Sequence, residues 1–181
     1  MKTEDPAKKA AEWWAALQPD PPRQRGDRGT LARLRRADLA AAMMEPATHA
    51  LLHSIGGVER DLERVALCAG VLATVREDTP RLHPARALGP PSEADAQNAV
   101  MSSLRFSRLI AARDPEELLR QFRRAVALLG RKAGVSQLAE ACLDWSEHCR
   151  RGWLFKYYDP TPAPNGATPD TPKQNAEVSA P

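Results

Sequence analysis

The stretch VERDLERVALCAGVLATVR, residues 58–76, decides the fold of this chain. Its apolar side chains recur at intervals of four and three residues, at Val58, Leu62, Val65, Ala69 and Leu72. This spacing places them on one face of an α-helix. The charged residues between 59 and 64 form the opposite, solvated face. The stretch therefore predicts an amphipathic helix that buries one side in a core.

Helical patterns extend on both sides of this stretch, whereas the alternating patterns of strands are almost absent. Proline and aspartate stand where several helices begin, and Gly56-Gly57 stands where one ends. Besides the central stretch, helices are predicted at 6–18, 28–43, 95–112, 116–131 and 135–156, with a short one opened by Pro46. The predicted fold class is all-α, a helical bundle of about seven helices.

Two proline-rich stretches interrupt the helical pattern. Residues 77–93 contain four prolines and no period, which predicts a long loop. Residues 159–181 are proline-rich and have little to bury, which predicts a disordered C-terminal tail. The remainder, residues 1–158, is expected to form a single helical domain. The sequence has no signal-peptide pattern and no apolar run of membrane-spanning length, so we expect a soluble, cytoplasmic protein without membrane contact.

The sequence offers little catalytic chemistry. It lacks the glycine-rich phosphate loops and the G-x-S-x-G nucleophile motif, so we expect no enzymatic activity and no cofactor. His49 and His53 have the spacing of paired zinc ligands, but no glutamate accompanies them, so no metal site is predicted. A small metal-dependent nuclease or hydrolase built on this pair stays open as a rival. The three cysteines form no C-x-x-C pair and are predicted to be core thiols.

Arginines are concentrated in two segments. Residues 23–36 and residues 103–158 each carry a net charge of +5, and the chain has 20 arginines against six lysines. Planar guanidinium groups suit bidentate contacts with phosphates. The predicted nucleic-acid-binding residues are Arg28, Arg33, Arg35, Arg36, Arg105, Arg108, Arg123, Arg124, Arg131, Arg150 and Arg151.

The predicted helix at residues 95–112 is apolar on most sides, which predicts that it is deeply buried.

Five motifs occur in a recognisable order and spacing. They are WW at 13–14, RGTLARLRRA at 28–37, SSLRFSRLI at 102–110, QFRRAVALL at 121–129 and LDW…RRGWLFKYY at 143–158. The ordered set resembles the CasB family, the small subunit of the type I-E CRISPR surveillance complex called Cascade. The resemblance leaves out the 77–93 loop and the tail.

The resemblance implies an all-α, non-catalytic protein that occurs as a head-to-tail pair with a second copy of itself. It implies contacts with the backbone and large subunits of Cascade. It also implies that basic surfaces bind crRNA, target DNA and the displaced single strand, which stabilises the R-loop in antiviral defence. Arg105 or Arg108 is expected to be an internal salt-bridge partner instead. The alternative from another class is a protein-protein adaptor without direct nucleic-acid contact.

Overall fold

A computed structural model describes residues 5–19, 26–92 and 95–159. The described residues form ten α-helices, and the all-α prediction is confirmed. The helices are α1 (Pro6–Leu17), α2 (Arg28–Arg36), α3 (Leu39–Met44), α4 (Pro46–Ser54), α5 (Leu62–Leu72), α6 (Pro84–Leu88), α7 (Ser103–Ala111), α8 (Pro115–Leu128), α9 (Val135–Leu143) and α10 (Glu147–Tyr157). None of them is long and apolar enough to cross a membrane. Except for Asp159, the predicted tail at 159–181 lies outside the described residues.

Helix α5 is the centre of the packing. It contacts α3, α4, α8 and α9, and α1 packs on α9 beside it. Every residue from Val65 to Leu72 is buried, so this part of the helix is enclosed on all sides rather than on one face. The predicted amphipathic character holds only at the start of the stretch, where Glu63 and Arg64 are exposed. Val58 is also exposed, because it precedes a short 3-10 turn and does not belong to the helix.

Polar caps divide two of the predicted helices, which is one reason why the described helices number ten rather than about seven. The predicted helix at 28–43 breaks after Arg36, where the Asp38 carboxylate accepts a hydrogen bond from the Ala41 amide at 2.8 Å and starts α3. The predicted helix at 135–156 breaks after Leu143, and Ser146 caps α10. The apolar period continues across both breaks, so periodicity alone does not reveal them.

The proline-rich stretch at 77–93 is more ordered than the sequence suggests. It begins with strand β1 (Glu77–Asp78), which pairs in parallel with β2 (Lys132–Ala133). It also contains α6, in which Pro84 occupies the first turn and the His83 ring accepts a hydrogen bond from the Ala85 amide at 3.1 Å. Strands of two residues and a five-residue helix are too short to produce a detectable period.

Helix α7 is shorter and less buried than the pattern at 95–112 suggests. It begins only at Ser103, and Phe106 and Leu109 are its buried residues. Leu104 is 63% exposed. The prediction of deep burial is therefore wrong for this segment, since α7 packs on α8 and α10 with one face only.

Candidate nucleic-acid interface

Arg123 joins the C-terminal ends of two helices. From α8, its half-buried guanidinium donates to the carbonyl oxygens of Leu34 at 2.6 Å, Ala37 at 2.9 Å and Gly70 at 3.2 Å. The first two carbonyls lie at the end of α2 and the third lies near the end of α5. Carbonyls at helix ends lack partners within the helix and carry partial negative charge, so a cation stabilises them. Arg123 therefore stabilises the fold by holding the ends of α2 and α5 against α8.

Gly70 makes this arrangement possible. A Cβ atom at this position would lie 3.1 Å from Nη2 of Arg123 and 3.0 Å from Cδ1 of Leu119. Both distances are tighter than ordinary van der Waals contact, so a larger residue would push Arg123 away from the carbonyl.

Arg35 reaches the end of α5 from α2. Its Nε donates to the Ala73 carbonyl, the C-cap of α5, at 2.5 Å. Burial lowers the pKa of Arg35, and the nearby cations Arg76 and Arg131 lower it further. These two effects show that several guanidinium groups lie close together at this end of the molecule.

These arginines surround a cavity of about 210 Å³, which we call the arginine pocket. It is lined by Arg35, Thr74, Arg123, Ala127 and Arg131. The described residues that line it include no carboxylate. Arg35, Arg123 and Arg131 come from separate regions of the sequence, and the folding of α2 and α8 against the end of α5 brings them together. The pocket is suited to an anion such as a phosphate group.

Arg131 has an unusual backbone conformation beside the pocket. Its φ is +65°, and it follows Gly130, whose φ is +64°. The Arg131 amide donates to the Val126 carbonyl at 2.9 Å, which closes the end of α8, and the Arg131 carbonyl accepts from the Arg76 amide at 2.8 Å. The end of α8 is thus tied to the segment after α5, and Arg76 and Arg131 are both exposed.

The remaining predicted residues of α2 and α8 differ in their partners. Arg33 makes an ion pair with Glu45, with Nε and Oε1 2.8 Å apart, and this hydrogen bond raises the pKa of Arg33. Arg28, Arg36 and Arg124 are exposed. They do not line the arginine pocket.

Four predicted residues lie on α7 and α10 instead. Arg105 and Arg108 are exposed and form no ion pair with any described residue, so the expectation of an internal salt bridge is wrong. Arg150 donates to the Trp145 carbonyl at 3.1 Å. Arg151 lies 4.0 Å from Glu147 in an exposed pair. Such a pair contributes little stability and opens readily.

Aromatic contacts fix α10 against α7. Tyr157 stacks on Phe106 with ring centroids 3.9 Å apart, and its hydroxyl donates to the Met101 carbonyl at 2.6 Å. Gly89 allows the loop after α6 to approach the same helix, because a Cβ there would lie 2.1 Å from the Tyr157 carbonyl oxygen.

Trp153 packs α10 against the core one turn before Tyr157. Its ring makes edge contacts with Phe122, Trp145 and His83. Burial, with a further contribution from Lys156, lowers the pKa of His83 from its ordinary value of 6.5 to about 4. His83 is therefore neutral near pH 7.

Sequence reasoning missed two features of these surfaces. Arg76 lies outside both arginine-rich segments, and the only signal for it was its position just after the central helix. Phe155 is 74% exposed and Tyr158 is 58% exposed, both on the outer side of α10. Their proximity to Arg150 and Arg151 in the sequence was the available signal.

Neither the His49 and His53 pair nor the cysteines form a metal-binding arrangement among the described residues. His49 Nε2 lies 2.8 Å from the Met43 carbonyl oxygen, and His53 is exposed. Among the described residues, no group of three His, Cys, Asp or Glu side chains could hold a metal ion. Cys68 and Cys142 are buried and interact, and burial raises the pKa of Cys142 well above its usual range. The prediction of core thiols is confirmed for these two, whereas Cys149 is only partly buried.

Comparison with known proteins identifies a family for this chain. A family model described as CRISPR-associated protein Cse2 matches residues 30–158, which is most of the chain. Searches of curated proteins and of solved structures gave no match. The matched range includes α3 to α10 and most of α2, and thus every residue that lines the arginine pocket.

Proposed function

Because the chain belongs to the Cse2 family of CRISPR-associated proteins, and is thereby a Cascade subunit, we propose that it binds nucleic acid within that complex without catalysing a reaction. The observation that carries the proposal is the cationic end of the molecule at the arginine pocket. Arg35 and Arg123 donate to helix-end carbonyls there, Arg131 and the nearby Arg76 are exposed, and the described residues that line the pocket include no carboxylate. A phosphate group is the ligand whose charge and hydrogen-bonding capacity fit this pocket.

The proposed ligands are crRNA, target DNA and the displaced single strand. Contacts with phosphates fix the position of a strand but do not read its sequence, so base pairing by the guide would supply specificity. Binding of the displaced strand would favour the open R-loop, because a ligand shifts an equilibrium toward the state it binds more tightly. Arg131 and Arg76 support this role best, since both are exposed at the pocket end of the molecule.

The proposal includes protein partners. The backbone and large subunits of Cascade and a second copy of this chain are expected to contact its surface. It also assigns residues 1–158 to one domain. In support of this, α2, α3, α4, α8 and α9 all contact α5, α1 packs on α9, and α7 packs on α8. Its site of action would be the cytoplasm, where foreign DNA is encountered.

The test measures binding of the full chain to a fluorescent single-stranded 20-mer over a range of salt concentrations. We expect salt-sensitive binding that weakens when Arg76→Ala is combined with Arg131→Asn. Asn is chosen because it tolerates the positive φ of Arg131. Each lost phosphate contact on a single strand lowers the slope of log affinity against log salt by about 0.7, so the double variant should lose about 1.4.

A control variant of equal charge distinguishes the pocket from net charge. Lys8→Ala with Arg60→Ala removes two exposed cations that lie on α1 and just before the start of α5, whereas Arg76 and Arg131 lie at the end of α5 and at the pocket, and we expect wild-type binding. Equal losses in both double variants would show that only net charge matters. Absence of salt-dependent binding, together with retained binding to Cascade subunits, would favour the adaptor instead.

A further inference from the structure

The outer side of α10 carries an apolar, aromatic surface. Leu154, Phe155 and Tyr158 are all exposed, and we call them the aromatic face of α10. The opposite side of the helix is occupied by the buried Trp153 and Tyr157. An exposed cluster of large apolar side chains on an otherwise well-packed helix is typical of a contact surface.

Helical spacing aligns this face with a cation. Arg151, Phe155 and Tyr158 follow at intervals of four and three residues, so their side chains lie along one side of α10. Successive aromatic rings beside a guanidinium group match the elements with which proteins bind single strands, in which bases stack on rings and cations contact phosphates.

The charges around the aromatic face favour an anionic occupant. Helix α10 has the cations Arg150, Arg151 and Lys156 and one carboxylate, Glu147, in the first turn; Asp159 follows Tyr158 and is partly buried, so the cations stay in excess. The neighbouring helix α7 carries Arg105 and Arg108 and has no carboxylate. Protein interfaces are also enriched in aromatic residues and arginine, so a protein occupant is one of the outcomes that the test below distinguishes.

We propose that the aromatic face of α10 is a stacking platform for unpaired bases of single-stranded nucleic acid, with Arg151 and the α7 arginines contacting the adjacent phosphates. This inference rests on the proposed function and adds a base contact to it. The platform is held in place from beneath, because the Tyr158 ring lies against Tyr157, whose ring is stacked on Phe106. Because every base has a flat face, such contacts would tolerate any sequence.

The test compares a single-stranded 20-mer with an abasic oligonucleotide of the same length and charge. Stacking of one base is worth about tenfold in affinity, so the wild-type chain should bind the 20-mer about tenfold more tightly than the abasic strand. Phe155→Ala should reduce this preference and Phe155→Ala combined with Tyr158→Ala should remove it, both with an unchanged salt slope, whereas Phe155→Trp should retain it. Met44→Ala truncates another exposed apolar side chain, on α3, and should have no effect.

The outcomes separate this inference from the proposed function. Equal wild-type affinity for both oligonucleotides, unchanged by Phe155→Ala, would overturn the platform and leave phosphate binding intact. Absence of binding to either oligonucleotide would overturn both proposals. Unchanged oligonucleotide binding by Phe155→Ala, with loss of its association with other Cascade subunits, would identify a protein as the occupant and overturn the stacking role.

Discussion

In the arginine pocket, Arg35 and Arg123 donate to backbone carbonyls at the ends of α2 and α5. In contrast, Arg105 and Arg108 on α7 are exposed and form no ion pair with a described residue. The same residue type thus closes helix ends in one region and leaves its charge exposed in the other. The comparison teaches that a count of arginines does not equal a count of available cations. Substitutions should separate the two uses by their effects on stability and on binding.

The largest effect is expected for Arg123→Ala. The substitution leaves three carbonyls at two helix ends without their donor, and hydrogen bonds to charged groups are worth about 1.5–3 kcal/mol each. Because the guanidinium is only half-buried, we expect the free energy of unfolding to fall by about 3 kcal/mol in total, measured by urea denaturation. Arg124→Ala, one residue away and exposed, is the matched control and should change stability by less than about 0.5 kcal/mol. Equal stability of the two variants would contradict the structural role of Arg123.

Tyr157→Phe tests the attachment of α10. It removes the hydroxyl that donates to the buried Met101 carbonyl at 2.6 Å but keeps the stacking on Phe106. We expect a loss of about 1.5 kcal/mol in urea denaturation, since a buried carbonyl is left without its donor. Tyr158→Phe should be close to neutral because that side chain is exposed. A neutral result for Tyr157→Phe would show that stacking alone holds α10 on α7.

The free energy of unfolding is expected to depend on pH through His83, whose ring contacts Trp153 on α10. The pKa of His83 is about 4 in the folded chain and about 6.5 in the unfolded chain, so between these values only the unfolded chain takes up the proton. Stability should therefore be complete above pH 6.5, fall as the pH drops toward 4, and level off below. With allowance for the partly exposed ring, the loss between pH 7 and 5 should be about 1 kcal/mol.

His83→Asn serves as the control for this pH dependence. Asn lacks a titrating ring and can still cap α6, so the variant should show a flatter stability profile between pH 7 and 5. His53→Asn changes an exposed histidine and should keep the wild-type profile. An identical slope in all three proteins would assign the pH dependence to other groups.

The smallest effect on stability is expected for Arg105→Ala combined with Arg108→Ala. Neither side chain forms an ion pair with a described residue, so the free energy of unfolding should change by less than about 0.5 kcal/mol. If both contact phosphates, the salt slope for a single-stranded 20-mer should fall by about 1.4. A large loss of stability would show that these arginines hold the fold, as Arg123 does.

The sequence predicts which arginines belong to the candidate site, but not which groups they contact. The sequence identified Arg35, Arg123 and Arg131 as members of arginine-rich helical segments. It did not indicate that Arg123 donates to three backbone carbonyls and is therefore part of the fold. Partners 53 to 89 residues away along the chain leave no local pattern.

The sequence by itself determined the all-α class, the central helix and the family resemblance, because apolar periodicity and ordered motifs are local properties that survive without coordinates. The tertiary structure decided where helices break, which arginines close helix ends and which remain exposed. It also brought Arg76 to the pocket end of the molecule and exposed Phe155 on α10. These outcomes depend on which surfaces meet when the helices pack, and the partners in such contacts are set by distance in space rather than by distance along the chain.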